Sequence, residues 1–355
     1  MIAKAPAKGR GAGENPAGRF EKLQYEPDLS ALAPDDELPP LKTQYFNDTS
    51  KTIIAYNDSP DIPFDAGINP YRGCEHGCVY CFARPSHEFL GFSAGLDFES
   101  KIFVKMDAAR LLRKELAAPK WQAQTIALSG NTDPYQPAER HFQITRQCLA
   151  VLAEFRNPVA LISKNHLITR DIDLLIELAS FRAAAVAVSI TTLDNSLARK
   201  MEPRASLPKR RLAAISELAK ADIPVGVMIA PIIPGLNDHE IPAILTAAVD
   251  AGASFSGYII LRLPYGLKDI FSDWLERHFP DRREKVLNRL RNMRDGKLNS
   301  PQFHQRMRGD GPFADQVRSM FQLTSQKLGL GDQRQRHQLS TAYFRHPNGT
   351  QLSLF

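Results

Sequence analysis

From Asp65 to about Leu263, short apolar runs alternate with longer stretches whose apolar residues recur at three- and four-residue spacing. The short runs are Ala66–Asn69, Gln124–Ser129, Val159–Ser163, Ala184–Ile190, Val225–Ile229 and Gly257–Leu261. Between them lie Asp107–Ala118, Gln143–Phe155, Arg170–Ser180, Lys209–Ala221 and His239–Ala251. Pro208 sits near the start of one expected helix, where a missing N–H costs little, and Gly252 follows the end of another. Alternating strands and helices imply a parallel sheet with helical crossovers. Six such units fit an open, partial β/α barrel. In such barrels the working residues stand in loops at the C-terminal ends of the strands.

The flanks read differently. Residues 1–45 are rich in Ala, Gly, Pro and charge without a sustained apolar period, so a mostly disordered lead-in is expected. Residues 46–64 form an N-terminal extension, in which Thr52–Tyr56 is either a strand or a lid over the barrel. Residues 65–265 are the barrel, and 266–355 a helical C-terminal region. There Asp269–Arg294 reads as helical with Pro280 punctuating it, Asp295–Pro312 as a polar linker and Phe313–Leu328 as a further helix. The apolar end Gln351–Phe355 is expected to pack back on the domain. From Arg277 onward there are 15 Lys and Arg against 6 Asp and Glu, so the net +6 of the chain belongs to this region. Such a region either meets phosphate-bearing partners or is a solvated, Arg-rich helical surface. No run approaches the ~20 apolar residues of a membrane span. The N-terminus has basic residues but no apolar h-region, and four cysteines in 355 residues argue against a disulfide framework. The expectation is a cytoplasmic protein with no membrane contact.

Cys74, Cys78 and Cys81 form a CxxxCxxC triplet. Three thiolates can hold three irons of a cubane cluster, and the fourth iron then stays open to a substrate. A structural zinc site needs four ligands. His76 and His87 are near enough in sequence to complete one, which leaves a zinc-dependent nucleic-acid binding module as an alternative. A non-catalytic iron–sulfur electron carrier is a second alternative, although carriers normally tie down all four irons with cysteine. Cys148 is too far along the chain to be an obvious fourth ligand.

With Tyr80 in the aromatic slot between Cys78 and Cys81, this loop resembles the CxxxCx(aromatic)C signature of the radical S-adenosylmethionine (SAM) superfamily. The strings Asn69-Pro-Tyr-Arg-Gly-Cys74 and Tyr80-Cys-Phe-Ala-Arg-Pro85 resemble its spore photoproduct lyase-like branch. The resemblance implies a partial (β/α)6 barrel of the TIM type, and an enzyme with a [4Fe–4S] cluster whose open iron binds SAM. It implies an electron donor such as flavodoxin or ferredoxin, and reductive cleavage of SAM to a 5′-deoxyadenosyl radical. The radical would abstract hydrogen from a substrate, of which nucleic acid is the first candidate.

The resemblance also gives the strand-end motifs their expected roles. After the second strand, a Gly-rich segment of the superfamily holds the SAM amino group. Here Gly130 permits close backbone approach, while Asn131, Thr132 and Asp133 supply oxygens; otherwise Asp133-Pro134 is an ordinary turn. Ser163 and Lys164 end the third strand. Lys164 either binds a carboxylate or phosphate or reaches to solvent. Ser189 and Thr191 suit the ribose of SAM, or satisfy backbone groups. In the loop before the Lys209 helix, Arg204 is placed to pair with the SAM carboxylate. Glu202 is placed to accept from ribose or orient Arg204; the alternative is a surface ion pair. Met228–Asp238 would form a wall against adenine. Arg262 faces the substrate or the SAM carboxylate, and Tyr265 is a hydrogen donor or stacking surface. Cys148, inside an expected helix, is either a hydrogen-atom donor of the kind spore photoproduct lyases use or a small buried apolar group.

Overall fold

A computed structural model describes residues 7–20, 41–332 and 339–347. The six expected strands form: β1 (Ala66–Ile68), β2 (Ile126–Leu128), β3 (Val159–Ser163), β4 (Ala184–Ser189), β5 (Val225–Ile232) and β6 (Phe255–Ile260). Each pairs in parallel with the next, in sequence order. The result is an open, partial α/β barrel. Its edges are covered by short strands, Ile54–Tyr56 antiparallel to β1 and Gly331–Asp332 parallel to β6. The apolar piece Thr52–Tyr56 is therefore an edge strand and not a lid.

The crossovers carry α1 (Ala108–Leu116), α2 (Ile144–Phe155), α3 (Ile172–Ser180), α4 (Pro208–Lys220) and α5 (Ile241–Asp250). Pro208 is the first residue of α4. Gly252 has φ +101° after α5, a conformation a side chain would strain. Strand residues such as Leu161, Val186 and Val227 pack against helix residues Leu152, Leu178, Leu218 and Ile244 in one core. Burial of each contributes about 1.5–3 kcal/mol.

Beyond the barrel, α6 (Leu267–His278), α7 (Pro280–Asn292) and α8 (Pro312–Lys327) follow. Pro280 separates the first two, since it lacks the N–H that would continue the helix. Trp274 and Leu275 of α6 and Leu287 and Leu290 of α7 form a second cluster with Val79, Tyr80 and Met201. The C-terminal region is thereby packed on the cysteine loop. Among the described residues no helix is long and apolar enough to cross a membrane. The segment Gln351–Phe355 lies outside the described residues.

Two features were not legible in the pattern. Gln44–Asn47, Lys101–Val104 and Tyr71–Arg72 make a separate three-stranded sheet beside the cysteine loop. Residues 7–20, expected within a mostly disordered lead-in, run as an ordered strap across that loop. The Arg10 guanidinium donates to the Glu99 carbonyl (2.6 Å), and the amides of Gly11 and Ala12 donate to the Glu99 carboxylate (2.9 and 2.8 Å).

Candidate active site

The cysteine loop leaves Arg72 through Gly73, whose φ of +77° turns the chain sharply. A Cβ there would lie 3.0 Å from His87, Ile102 and the Lys101 carbonyl, so the turn needs glycine. Short backbone bonds then fold the loop on itself: Gly77 N to Cys74 O, Cys81 N to Cys78 O and Arg84 N to Cys81 O. Two side chains and one backbone bond hold it in place. Gln136 accepts from the Glu75 amide (2.9 Å) and donates to the Gly73 carbonyl (3.1 Å). Arg84, fully buried, donates to the carbonyls of Cys78, Ala94 and Gly95 and pairs with Glu99 at 2.5 Å. Val79 N donates to Met201 O, which ties the loop to the segment after β4.

All three thiols are free, Cys74 and Cys78 buried and Cys81 partly so. Burial pushes each of them up, and for Cys74 the nearby Asp133, Cys78 and Cys81 add to it. Such thiols stay protonated unless a cation binds them, and a metal deprotonates its thiol ligands. Among the described residues no three His, Cys, Asp or Glu side chains surround a site for a single metal ion. A cubane takes each thiolate on a different iron, so its ligands need not converge on one point. The donor set fits a cluster. The zinc alternative loses its histidines. His87 Nε2–H donates to the Lys101 carbonyl (3.0 Å), and its ring lies among Phe92, Phe98 and Phe103. His76 accepts at Nε2 from Asn165 (3.2 Å), which leaves its Nδ1 proton facing Asp133 at 3.4 Å.

The strand-end residues fall into three groups. One converges beside Cys78. Lys164 Nζ donates to Ser189 Oγ (2.5 Å) and the Ala230 carbonyl (3.1 Å) and lies 5.9 Å from the Tyr80 ring centre. The Tyr80 hydroxyl and Thr191 Oγ1 both donate to Glu202, and Arg211 pairs with the other Glu202 oxygen. Burial would raise the Glu202 carboxyl, but Arg211 and Lys164 hold it down at about 2. Glu202 is thus no surface ion pair: it is the buried anchor of Tyr80, Thr191 and Arg211. Arg211, on α4, had no sequence signal beyond helix periodicity.

A second group organises the loops. Asp133 Oδ1 accepts from Ser163 Oγ (2.8 Å) and the Tyr135 amide (2.9 Å), and Oδ2 from the Lys164 amide (2.7 Å). Burial opposes its ionisation, yet His76 and these amides keep its carboxyl below the usual range. Asp133 and Ser163 therefore spend their polar atoms joining β2, β3 and the cysteine loop. Asn69 accepts from the amides of Asn131 (2.9 Å) and Thr132 (3.3 Å), and Thr132 Oγ1 donates to the Tyr71 carbonyl. Asn69 shapes the turn that carries Gly130 and leaves Asn131 exposed.

The third group stands elsewhere. Arg204 pairs with Glu75 (3.1 Å) and donates to Thr43 Oγ1 (3.3 Å). Cys148 is fully buried on α2 within the main core, its thiol pushed up to about 12 by burial. It belongs to the main core, whereas Cys74 and Cys78 belong to separate clusters. Tyr265 is 61% exposed at φ +51°, with the Arg19 guanidinium 3.7 Å above its ring. Arg262 lies over the Phe82 ring at 5.2 Å.

The radical SAM superfamily profile matches residues 68–248. An uncharacterized protein of Mycobacterium tuberculosis is 36% identical over 250 residues, 70% of this chain and 72% of that one. An uncharacterized protein of Methanocaldococcus jannaschii is 27% identical over 222 residues, 62% of this chain and 79% of that one. Among solved structures, a spore photoproduct lyase variant superposes with a TM-score of 0.58 at 16% identity, covering 81% of this chain and 80% of its own. Spore photoproduct lyase complexed with dinucleoside spore photoproduct gives 0.56 at 14% identity with the same coverage. At such identities the shared property is the fold.

Proposed function

The chain belongs to the radical SAM superfamily, an enzyme family whose cofactors are SAM and a [4Fe–4S] cluster, and from that premise we propose that Cys74, Cys78 and Cys81 are the cluster ligands of an enzyme acting on nucleic acid. Family membership sets aside the electron-carrier and zinc-module readings. When bound, cluster and SAM supply one-electron cleavage of a carbon–sulfur bond and a radical able to abstract hydrogen.

The chain's own residues do the rest. The observation that carries the reading is the convergence of Lys164, Ser189, Thr191 and Tyr80 on the Cys78 side of the barrel mouth, around the buried Glu202 carboxylate. Lys164 Nζ is a cation for a SAM carboxylate, and the Ser189 and Thr191 hydroxyls suit its ribose. Glu202 and Arg211 fix Tyr80, and with it the loop between Cys78 and Cys81. Gly130 and the exposed Asn131, held by Asn69, present backbone and amide groups for the SAM amino group. Arg84 and Glu99 keep the loop rigid against the strap.

A nucleic-acid substrate is supported by the basic C-terminal region and by the fold shared with a lyase solved with a dinucleoside. Cys148, the fourth cysteine, is buried in the main core, which argues against reversal of a thymine lesion. The test is anaerobic reconstitution with iron and sulfide, then dithionite and SAM, with a panel of DNA and RNA oligonucleotides. The expected products are 5′-deoxyadenosine and methionine, at a rate raised by the right nucleic acid. If neither product forms, the reading fails.

A further inference from the structure

Three guanidinium groups from separate parts of the chain meet beyond the end of β6. The Ile260 amide donates to the Met307 carbonyl at 2.9 Å, which pins the segment 302–308 beside the strand end. Arg294 bridges the two: its Nη2 donates to the Leu261 carbonyl (2.5 Å) and lies 3.5 Å from the Arg306 carbonyl. Arg262 follows Leu261 and lies over Phe82, the residue after Cys81. Arg306 reaches Asp61 of the N-terminal extension through Nε at 2.5 Å.

The charges do not balance. Arg294 is only 4% exposed, yet its Nε and Nη1 find no partner among the described residues. Arg262 Nε is likewise buried and unpartnered. Among the described residues Asp61 is the one carboxylate ion-paired in this cluster, and Arg306 and the His304 amide already occupy its oxygens. Burial and the charge of Arg262 pull Arg294 down to about 10. A buried guanidinium without a counter-ion is costly, so the arrangement calls for an anion from outside. Phe82 narrows its nature. It is 44% exposed, and one face of its ring is covered by the guanidinium of Arg262. A cation paired with an exposed aromatic face suits a backbone phosphate and its neighbouring base; a carboxylate needs no such face.

We propose that Arg262, Arg294 and Arg306 form a subsite for a phosphodiester group of the substrate, with Phe82 as the adjoining stacking face. The inference rests on the nucleic-acid reading above and gives it a location, on the same side of the barrel mouth as Cys81. Arg262 and Arg294 carry the buried, unpaired donors that lack a counter-ion, while Arg306, held by Asp61, is the third cation.

The test is fluorescence anisotropy of a labelled single-stranded DNA oligonucleotide on the full-length chain over a range of salt, without reductant. Arg294→Gln would cut the Leu261 bridge and risk misfolding, so the informative variant is Arg262→Gln, with circular dichroism as a fold check. The expected result is roughly tenfold weaker binding and a plot of log K against log salt flatter by about 0.7, the loss of one phosphate contact on a single strand. Phe82→Ala should weaken binding without changing that slope. An affinity and slope unchanged in Arg262→Gln overturn the subsite. So does tighter binding of a labelled polyglutamate peptide than of DNA. SAM cleavage by the unsubstituted chain is measured separately. Its absence counts against the reaction, whereas an unchanged slope counts against the subsite.

Discussion

A Cβ on Gly11 would stand 1.8 Å from the carbonyl oxygen of Gly77. The strap thus crosses the cysteine loop backbone against backbone, at a distance only glycine permits. Gly95 repeats the relationship further along, where a Cβ would lie 2.0 Å from the Glu14 carbonyl. Neither contact can be relieved by rotating a side chain, because the obstructing atoms are backbone. Gly11→Ala should therefore lift the strap off the loop, at a cost of about 1–3 kcal/mol or more. Limited trypsin digestion checks this: cleavage at Arg10 and Arg19 should speed up roughly tenfold for about 1.4 kcal/mol of lost docking. Gly266→Ala, where a Cβ meets nothing within 4 Å, should leave the digestion pattern unchanged.

What the sequence revealed and what it hid follow from how each feature is encoded. β1 to β6 and their crossover helices carry their own periodicity, so their existence was legible and only their ends moved. The triplet Cys74, Cys78 and Cys81 was legible because its spacing is local. The partners of Glu202 were not. Arg211 is nine residues away on a helix and reads as one more polar position of α4. The strap is not legible because a segment such as Gly11-Ala12-Gly13 has no apolar period of its own. Its order comes from Glu99, far along the chain, accepting two backbone amides. Nearness in sequence suggests His87 as a zinc ligand, and only packing shows it enclosed by three phenylalanines.

Glu202→Gln keeps the shape of the side chain and removes its charge. Arg211, almost fully buried, would then lack a counter-ion, and breaking one side of such a pair costs about 3–5 kcal/mol. The same change loosens Tyr80 and Thr191. The expected outcome is a lower urea midpoint together with weaker SAM binding by calorimetry on the reconstituted protein. Normal SAM affinity in a destabilised variant would confine Glu202 to folding.

The four cysteines should separate into two classes. Cys81→Ala should lose most of its iron on anaerobic reconstitution and all SAM cleavage. Cys148→Ala should keep the iron content and cleavage rate of the unsubstituted chain, since its thiol only fills space in the main core. The cost there is a small cavity, about 1 kcal/mol of stability. Iron analysis and 5′-deoxyadenosine yield test both. Loss of cleavage in a Cys148→Ala protein that retains its iron would restore a chemical role to that thiol.

His87 should make the fold acid-sensitive in a defined window. Burial lowers its pKa from 6.5 to about 4, with the Lys101 carbonyl bond and Asp97 opposing only in part. Arg84 and Lys101 are the neighbouring cations, and both disfavour a charged imidazole. The native state therefore keeps His87 neutral where the unfolded chain already binds a proton. Stability rises with pH wherever the unfolded state holds more protons. His87 should accordingly cost nothing above about pH 6.5 and progressively more as the pH falls toward 4. The total is about 3 kcal/mol, and the penalty levels off below pH 4, once both states are protonated. His87→Gln offers an amide to the same carbonyl without a titrating ring. Urea unfolding of both proteins from pH 7.5 to 4.5 isolates the effect from the other titrating groups they share. The stability difference should shift in favour of His87→Gln by about 2–3 kcal/mol over that range. Parallel curves would mean that His87 binds its proton as readily in the native state as in the unfolded chain, and that the aromatic cage of Phe92, Phe98 and Phe103 encloses a charge at acid pH.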